Sequence, residues 1–554
     1  MAASLVIVLL IFTLVFQNSG QEVQEYGILH AKSSSGSNQD FCVMFNPRWG
    51  NPWPTDLKNT PAHSLEWADP PLLCTKSNPP NPKYEDKAVA AYRGNCSFYE
   101  KGMNAGEAVE VIVINDQNTL FVPAGNESAG EYDNLQIPIV VMKRDDGTLM
   151  KNLGNGVKVQ LYQPPGQAID GNIAVLWILA VGTVVIGAFW TGVVNKAIVS
   201  RHLQRQNACE DGDAEGHNDD DDESGSIQVT PLMVLVFVLL ICGLLLLLFY
   251  FYKYLVMVII VLFVLASCNG LFECLTPIIL RLPLGSCKVP PNKLPIFKHE
   301  PQVRLIILAL FCMAIAIWWG IERNASYAWI LQDILGIAFC ISLIKNIRLP
   351  NLKVCVILLV LLLIYDIFFV FITPLFSASG KSVMVEVATG GDHKEQLPMV
   401  LKIPRLTKSV LSVCVRPYSL LGFGDILVPG LYVGFCHSFD IMQKTPYKIY
   451  FVATSIAYGV GLILTFVALF LMKQGQPALL YLVPCVLTTG IVIGWVRGEL
   501  RKLWTGKMIS RIPEESTFPV TSDSEDDILD RTQERHVDSS LESPTSETQR
   551  LIGK

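Results

Sequence analysis

Between residues 173 and 495 the chain passes through one long apolar run after another, more hydrocarbon than a water-soluble core can hold. A membrane helix needs about 20 mainly apolar residues. Nine segments qualify, roughly 173–193, 230–250, 255–275, 305–321, 327–344, 354–376, 411–436, 449–471 and 477–496. Composition agrees: 51% of the 554 residues are hydrophobic and 17% are charged, with a mean hydropathy of +0.39. A soluble protein carries about 25% charge, so several soluble domains are excluded. The net charge of −6 comes from acids gathered in a linker and a tail, and nucleic acid is not implied as a partner. The pattern describes a polytopic α-helical membrane protein with nine transmembrane helices behind an N-terminal domain.

The first 20 residues read as a signal peptide: Leu5 to Phe16 is apolar but short for a span, and Asn18-Ser19-Gly20 offers small residues near a cut. The alternative is a first membrane helix. Cleavage would leave 21–172 on the luminal or extracellular side. That segment holds two N-glycosylation triplets, at Asn95 and Asn126, and three cysteines, Cys42, Cys74 and Cys96. Three is odd, so at most one disulfide forms within it, and the other eleven cysteines are expected in spans or cytosolic loops. No cysteine or histidine spacing suggests zinc, and neither metal nor cofactor is expected. Residues 43–87 read as Pro- and Asn-rich loop. Strands are expected at 87–92, 109–114, 137–141 and 157–161, with a helix at 97–108. This strand–Gly-Asn-Cys-Ser-Phe–helix–strand order resembles a protease-associated domain, a small α/β module without catalytic residues, which implies a binding or gating role.

Loop charges set the orientation. With the front domain outside, loops on the inner side carry eighteen Lys and Arg, among them Lys196, Arg281, Lys345, Lys444 and Arg497, against eight outside. The C-terminus is then cytosolic. The divisions are 21–172 for the front domain and 173–350 for spans one to five, including an acidic cytosolic linker at 195–229. Spans six to nine follow at 351–510, and a disordered acidic tail at 511–554.

A charge at the bilayer centre is costly and marks a functional site by default. Asp366 falls near the midpoint of span six beside Tyr365, and Asp425 follows Gly422-Phe423-Gly424 near the midpoint of span seven. Consecutive helices are usually neighbours, so the two acids can face each other. Two facing carboxyls in a low-dielectric site share a proton, the aspartic-protease arrangement. Gly422 and Gly424 lack Cβ atoms and let an extended peptide backbone approach. Pro477-Ala478-Leu479 opens span nine, and unwound backbone at membrane depth is tolerated where it lines a cavity.

Tyr365-Asp366, Gly422-Phe423-Gly424-Asp425 and Pro477-Ala478-Leu479, in that order, resemble the GxGD intramembrane aspartyl proteases. The orientation is similar to that of signal peptide peptidases and opposite to that of presenilins. Signal peptide and front domain resemble the second signal-peptide-peptidase-like subfamily, nearer its B than its A member. Trp329 to Gly336 and Gly475 to Pro484 carry the same likeness. The resemblance implies an aspartic endopeptidase (EC 3.4.23 type) with Asp366 and Asp425 catalytic, Tyr365, Gly422 and Gly424 supporting them, and Pro477, Ala478 and Leu479 positioning substrate. It implies type II single-pass membrane substrates, cut after ectodomain shedding to release a cytosolic fragment. The competing readings are an ion transporter, or a receptor or scaffold using the aspartates structurally.

Other polar residues are expected to be structural: Gln332 and Asp333 packing between helices, Glu273 reaching the interface, and Arg416 snorkelling outward. The acids of 210–223 imitate a calcium loop poorly and read as solvated linker. Glu547, Leu551 and Ile552 fit an acidic dileucine signal read by cytosolic coat adaptors. The expected setting is the bilayer of endosome, lysosome, Golgi and plasma membrane; a homo-oligomer is left open.

Overall fold

The computed structural model describes residues 25–506 apart from 35, 50–52, 76–81, 127–129, 165–170, 211–226, 229, 283–301, 374–382, 385–386, 388–394, 407–409, 415–417 and 473–475. The signal peptide, residues 211–226 of the acidic linker, Arg416 and the tail with Glu547, Leu551 and Ile552 lie outside the described residues, whereas residues 195–210, expected as linker, are helical.

The N-terminal domain is built from strands β1 (Glu25–Lys32), β2 (Asn38–Phe45), β3 (His63–Trp67), β4 (Ala88–Tyr92), β5 (Glu110–Ile114), β6 (Ile139–Met142) and β7 (Lys158–Tyr162). Helix α1 (Phe98–Asn104) joins β4 to β5, and α2 (Arg144–Asn152) joins β6 to β7. The strands close into a barrel in the order β1-β2-β6-β5-β4-β3-β7, with β3 to β6 parallel. In β5 the period-2 alternation sends Ile112 and Ile114 to one core and Val111 and Val113 to a second, which also takes Phe98 and Tyr99 of α1. Ser97 and Glu100 cap α1 reciprocally, side chain to amide in each direction. The four strands and the helix expected from alternation are present. The stretch 43–87, expected as loop, contributes the end of β2 and all of β3.

The second part is helical: α3 (Asn172–Glu210), α4 (Pro231–Arg281), α5 (Val303–Ile321), α6 (Ala328–Asn346), α7 (Leu352–Ile367), α8 (Phe423–Met442), α9 (Ile449–Met472) and α10 (Leu479–Val496). Among the described residues seven helices are long and apolar enough to cross a membrane. The nine expected spans differ from these seven at two places. Spans two and three run together in α4, whose 51 residues bend at Phe251 (φ −119°, ψ 33°). At about 1.5 Å per residue that is roughly 77 Å, more than twice the ~30 Å hydrocarbon core.

The other difference is span seven. The helix begins at Phe423, not near 411, because the preceding residues form a hairpin of β8 (Val400–Pro404) and β9 (Tyr418–Gly422). Helix α8 is buried on nearly all sides and packs most extensively on α3, which is why it can carry Asp425 and Asp440. Small residues let these helices close: a Cβ on Gly434 would meet Thr191 of α3 at 3.3 Å, and Thr191 donates to the Ile344 carbonyl of α6 at 2.8 Å.

Among the described residues two disulfides are present. Cys74–Cys96 is internal to the N-terminal domain, and Cys42 pairs with Cys414, 372 residues away. The expectation of an unpaired N-terminal thiol is corrected, as is that of a reduced Cys414: residue 414 belongs to the β8–β9 connection and meets β1 and β2 of the barrel. Asn95 and Asn126 are exposed.

Candidate active site

Helix α7 starts at Asn351, whose side chain accepts from the Val354 amide at 2.9 Å. Its buried stripe runs Cys355, Leu359, Leu362, Asp366, a spacing of four, three and four that marks one helix face. Asp366 thus continues an apolar seam and is 2% exposed. A five-residue π-helical segment, Phe368–Ile372, follows at once, a local widening that often accompanies functional sites. Tyr365 is half-buried against Phe369, with ring centroids 4.9 Å apart.

Asp425 arrives by a different route. Strand β9 ends at Gly422, which keeps extended φ/ψ (−65°, 138°) as the residue before α8. Two residues of helix later comes Asp425, in the first turn, where amides lack intrahelical acceptors. Its carboxyl folds back over Gly422, so a Cβ there would lie 3.2 Å from Oδ2. Gly424 is exposed, and a Cβ on it would meet nothing within 4 Å. The charge of Asp366 reaches the Asp425 carboxyl. Asp425 therefore stands at a helix start at the end of a strand, not mid-helix as the apolar run suggested.

The third segment meets the first. Pro477 and Ala478 are buried and precede α10, whose first residue, Leu479, has a free amide. That N–H donates to Asp366 Oδ2 at 3.4 Å. Asp366, Asp425 and Pro477-Ala478-Leu479 are therefore assembled from α7, α8 and the start of α10. Open space lies over Gly424.

Some neighbours were not legible from composition or spacing. Tyr458 of α9 is fully buried, its hydroxyl has no hydrogen-bond partner among the described residues, and the Asp425 charge reaches it. Gln332 and Asp333 of α6 bond to strand β8. Glu273, expected at the interface, accepts from Ser342 at 2.9 Å and from Asn346 at 3.0 Å, both in the last turns of α6. A cavity of about 210 Å³ lies beside the hairpin, lined by Trp319, Arg323, Gln332, Glu395, Lys402 and Tyr418 among others, and neither aspartate lines it. Among the described residues no cluster of histidine, cysteine or carboxylate could hold a metal ion.

The family model described as signal peptide peptidase matches residues 220–510, and the PA-domain model matches 62–150. The chain is 44% identical over 519 residues to signal peptide peptidase-like 2B of Homo sapiens, covering 92% of this chain and 85% of that protein. It is 42% identical over 489 residues to human signal peptide peptidase-like 2A, covering 86% and 89%. A zinc aminopeptidase from Bacillus subtilis aligns with 26% of this chain and 32% of its own at 20% identity, with a TM-score of 0.19, too slight to bear on the fold.

Proposed function

The chain belongs to the signal peptide peptidase family and is an intramembrane aspartic protease with an N-terminal PA domain; from that premise we propose that Asp366 and Asp425 are its catalytic dyad. The observation that carries this is the meeting of three distant segments, with Asp366 bonded to the Leu479 amide and within electrostatic reach of Asp425. Between them the two carboxyls hold one proton. The ionised carboxylate removes a proton from water while the water oxygen attacks the scissile carbonyl carbon. The protonated partner gives its hydrogen to the carbonyl oxygen. Collapse of the tetrahedral diol breaks the C–N bond, and the amine leaves with a proton returned from the dyad.

The surroundings support roles for the other residues. Gly424 leaves room for a peptide backbone over the dyad. Leu479 orients Asp366, and Pro477 and Ala478 keep the start of α10 in place for that bond. Tyr365, next to Asp366 in the chain, packs on Phe369 at the start of the π-helical segment. Strand β9 leads directly into Gly422, so an extended substrate segment laid along its edge would reach the carboxyls.

The substrates are type II single-pass proteins, cut after ectodomain shedding with release of a cytosolic fragment. Two disulfides need an oxidising compartment. They support a luminal N-terminal domain, in which the exposed Asn95 and Asn126 carry the glycans; the loop charges support a cytosolic C-terminus, whose Glu547, Leu551 and Ile552 engage coat adaptors in the endosomal and lysosomal route. The test is release of the cytosolic fragment from a type II stub by the purified protein in proteoliposomes. Asp366→Ala and Asp425→Ala are each expected to lower kcat by at least about 10³-fold; retained release in either variant defeats the assignment.

A further inference from the structure

We propose that Gln332 and Asp333 of α6 are positioning residues for the reaction, holding the hairpin that delivers Asp425; this rests on the dyad assignment above. Both are 4% exposed. Gln332 Nε2 donates to the Val400 carbonyl at 2.9 Å, and the Lys402 amide donates to Asp333 Oδ1 at 2.9 Å. Adjacent side chains on one helix thus grip alternate residues of β8.

The register carries that grip to the dyad. Val400 stands opposite Gly422, and Lys402 stands opposite Leu420. The Phe423 amide continues the ladder to the Met399 carbonyl at 3.1 Å. Gly422 in turn lies beneath the Asp425 carboxyl. From Gln332 to Asp425 the path is one side-chain bond, one strand pair and three residues of chain. A register slip along β8 would carry Gly422 by about 3.4 Å per residue, more than the reaching distance of a proton transfer.

The same helix fixes the next residue as well. Gly336, one turn after Gln332, faces Phe423 so closely that a Cβ would lie 2.0 Å from its ring. Phe423 stacks at 6.3 Å on Phe263 of α4. Upstream of β8, Arg323 pairs with Glu395 through two bonds of 2.9 Å, and Tyr252 donates to the Glu395 carbonyl at 3.0 Å. The strand is therefore tied at 395, 400 and 402. The Asp333 pair is the costly one: a buried carboxyl whose second oxygen has no partner among the described residues.

The experiment uses the full-length protein in proteoliposomes with a recombinant type II stub, reading kcat, KM and the position of the cut by mass spectrometry. Asp333→Leu and Gln332→Ala are expected to lower kcat about tenfold or more, to leave KM within about twofold, and to spread cleavage over neighbouring peptide bonds. Asp333→Asn, which keeps an acceptor oxygen for the Lys402 amide, is expected to restore a single cut position. A merely structural role would lower the amount of active protein without moving the cut. Should Asp333→Leu not fold, Gln332→Ala decides, since it removes one bond and leaves the carboxyl. Unchanged kcat and cut position in Gln332→Ala overturns the inference, as does failure of Asp333→Asn to restore the position. Cleavage by Asp366→Ala, run alongside, overturns the dyad assignment instead.

Discussion

Glu110 sits in the first position of β5, 4% exposed, with one carboxyl oxygen lacking any hydrogen-bond partner among the described residues. Burial pushes its carboxyl up to about 8 from an ordinary 4.5. The folded domain therefore keeps a proton that the unfolded chain loses above about 4.5. Its stability is greatest below that pH and declines as pH rises through about 8. Hydrogen exchange at β4 to β6 in the full-length protein is expected to show weaker protection at pH 8.5 than at pH 5. Glu110→Gln, neutral at every pH, should flatten that profile; an unchanged slope would mean that another group sets it. Tyr458, whose hydroxyl has no partner among the described residues, comes near Asp425 only through the packing of α9 on α8.

At the scale of elements, hydropathy located the helices well because bilayer-spanning runs have few competing explanations. It failed where a strand is also apolar. Tyr418-Ser419-Leu420-Leu421-Gly422 continues the run that begins near 411, and nothing in its composition separates a buried hairpin strand from a helix. The motif residues were legible one by one, since charged or glycine-rich segments in apolar surroundings stand out. Their arrangement was not, because the start of α8 is decided by pairing with β8 and by contact with α6. Strand β3 was missed for a similar reason: its partners β4 and β7 lie far along the chain, and its own neighbourhood is rich in Pro and Asn. The contact between Gly336 and Phe423 gives the element-level prediction. Gly336→Val puts methyl groups where the Phe423 ring stands, and the start of α8 must move. Fragment release is expected to drop at least about tenfold, with a thermal stability loss of about 1–3 kcal/mol from overpacking. Normal activity in that variant would show that α6 can yield without disturbing the dyad.

At the scale of the whole molecule, the bond between Cys42 and Cys414 constrains how the chain threads the bilayer. A disulfide can form only between residues on the same side, so the chain must cross an even number of times between residues 172 and 414. Helices α3, α5, α6 and α7 supply four crossings, and α4 must add two or none. Its 51 residues and its bend at Phe251 suit two. The Asn172 side chain, bonded to Ser419 Oγ at 2.8 Å, ties the start of α3 to β9 on that same side. The bridge also joins the N-terminal barrel to the connection that leads into β9, so the barrel and the dyad strand move together. A protease site engineered between residues 165 and 170 tests this directly. After cleavage, the N-terminal domain is expected to remain with the membrane part on a non-reducing gel and to separate when thiol is added. Cys414→Ser should release it without thiol. If the cut wild-type protein separates without reduction, the bridge is absent, and with it the requirement that α4 cross an even number of times.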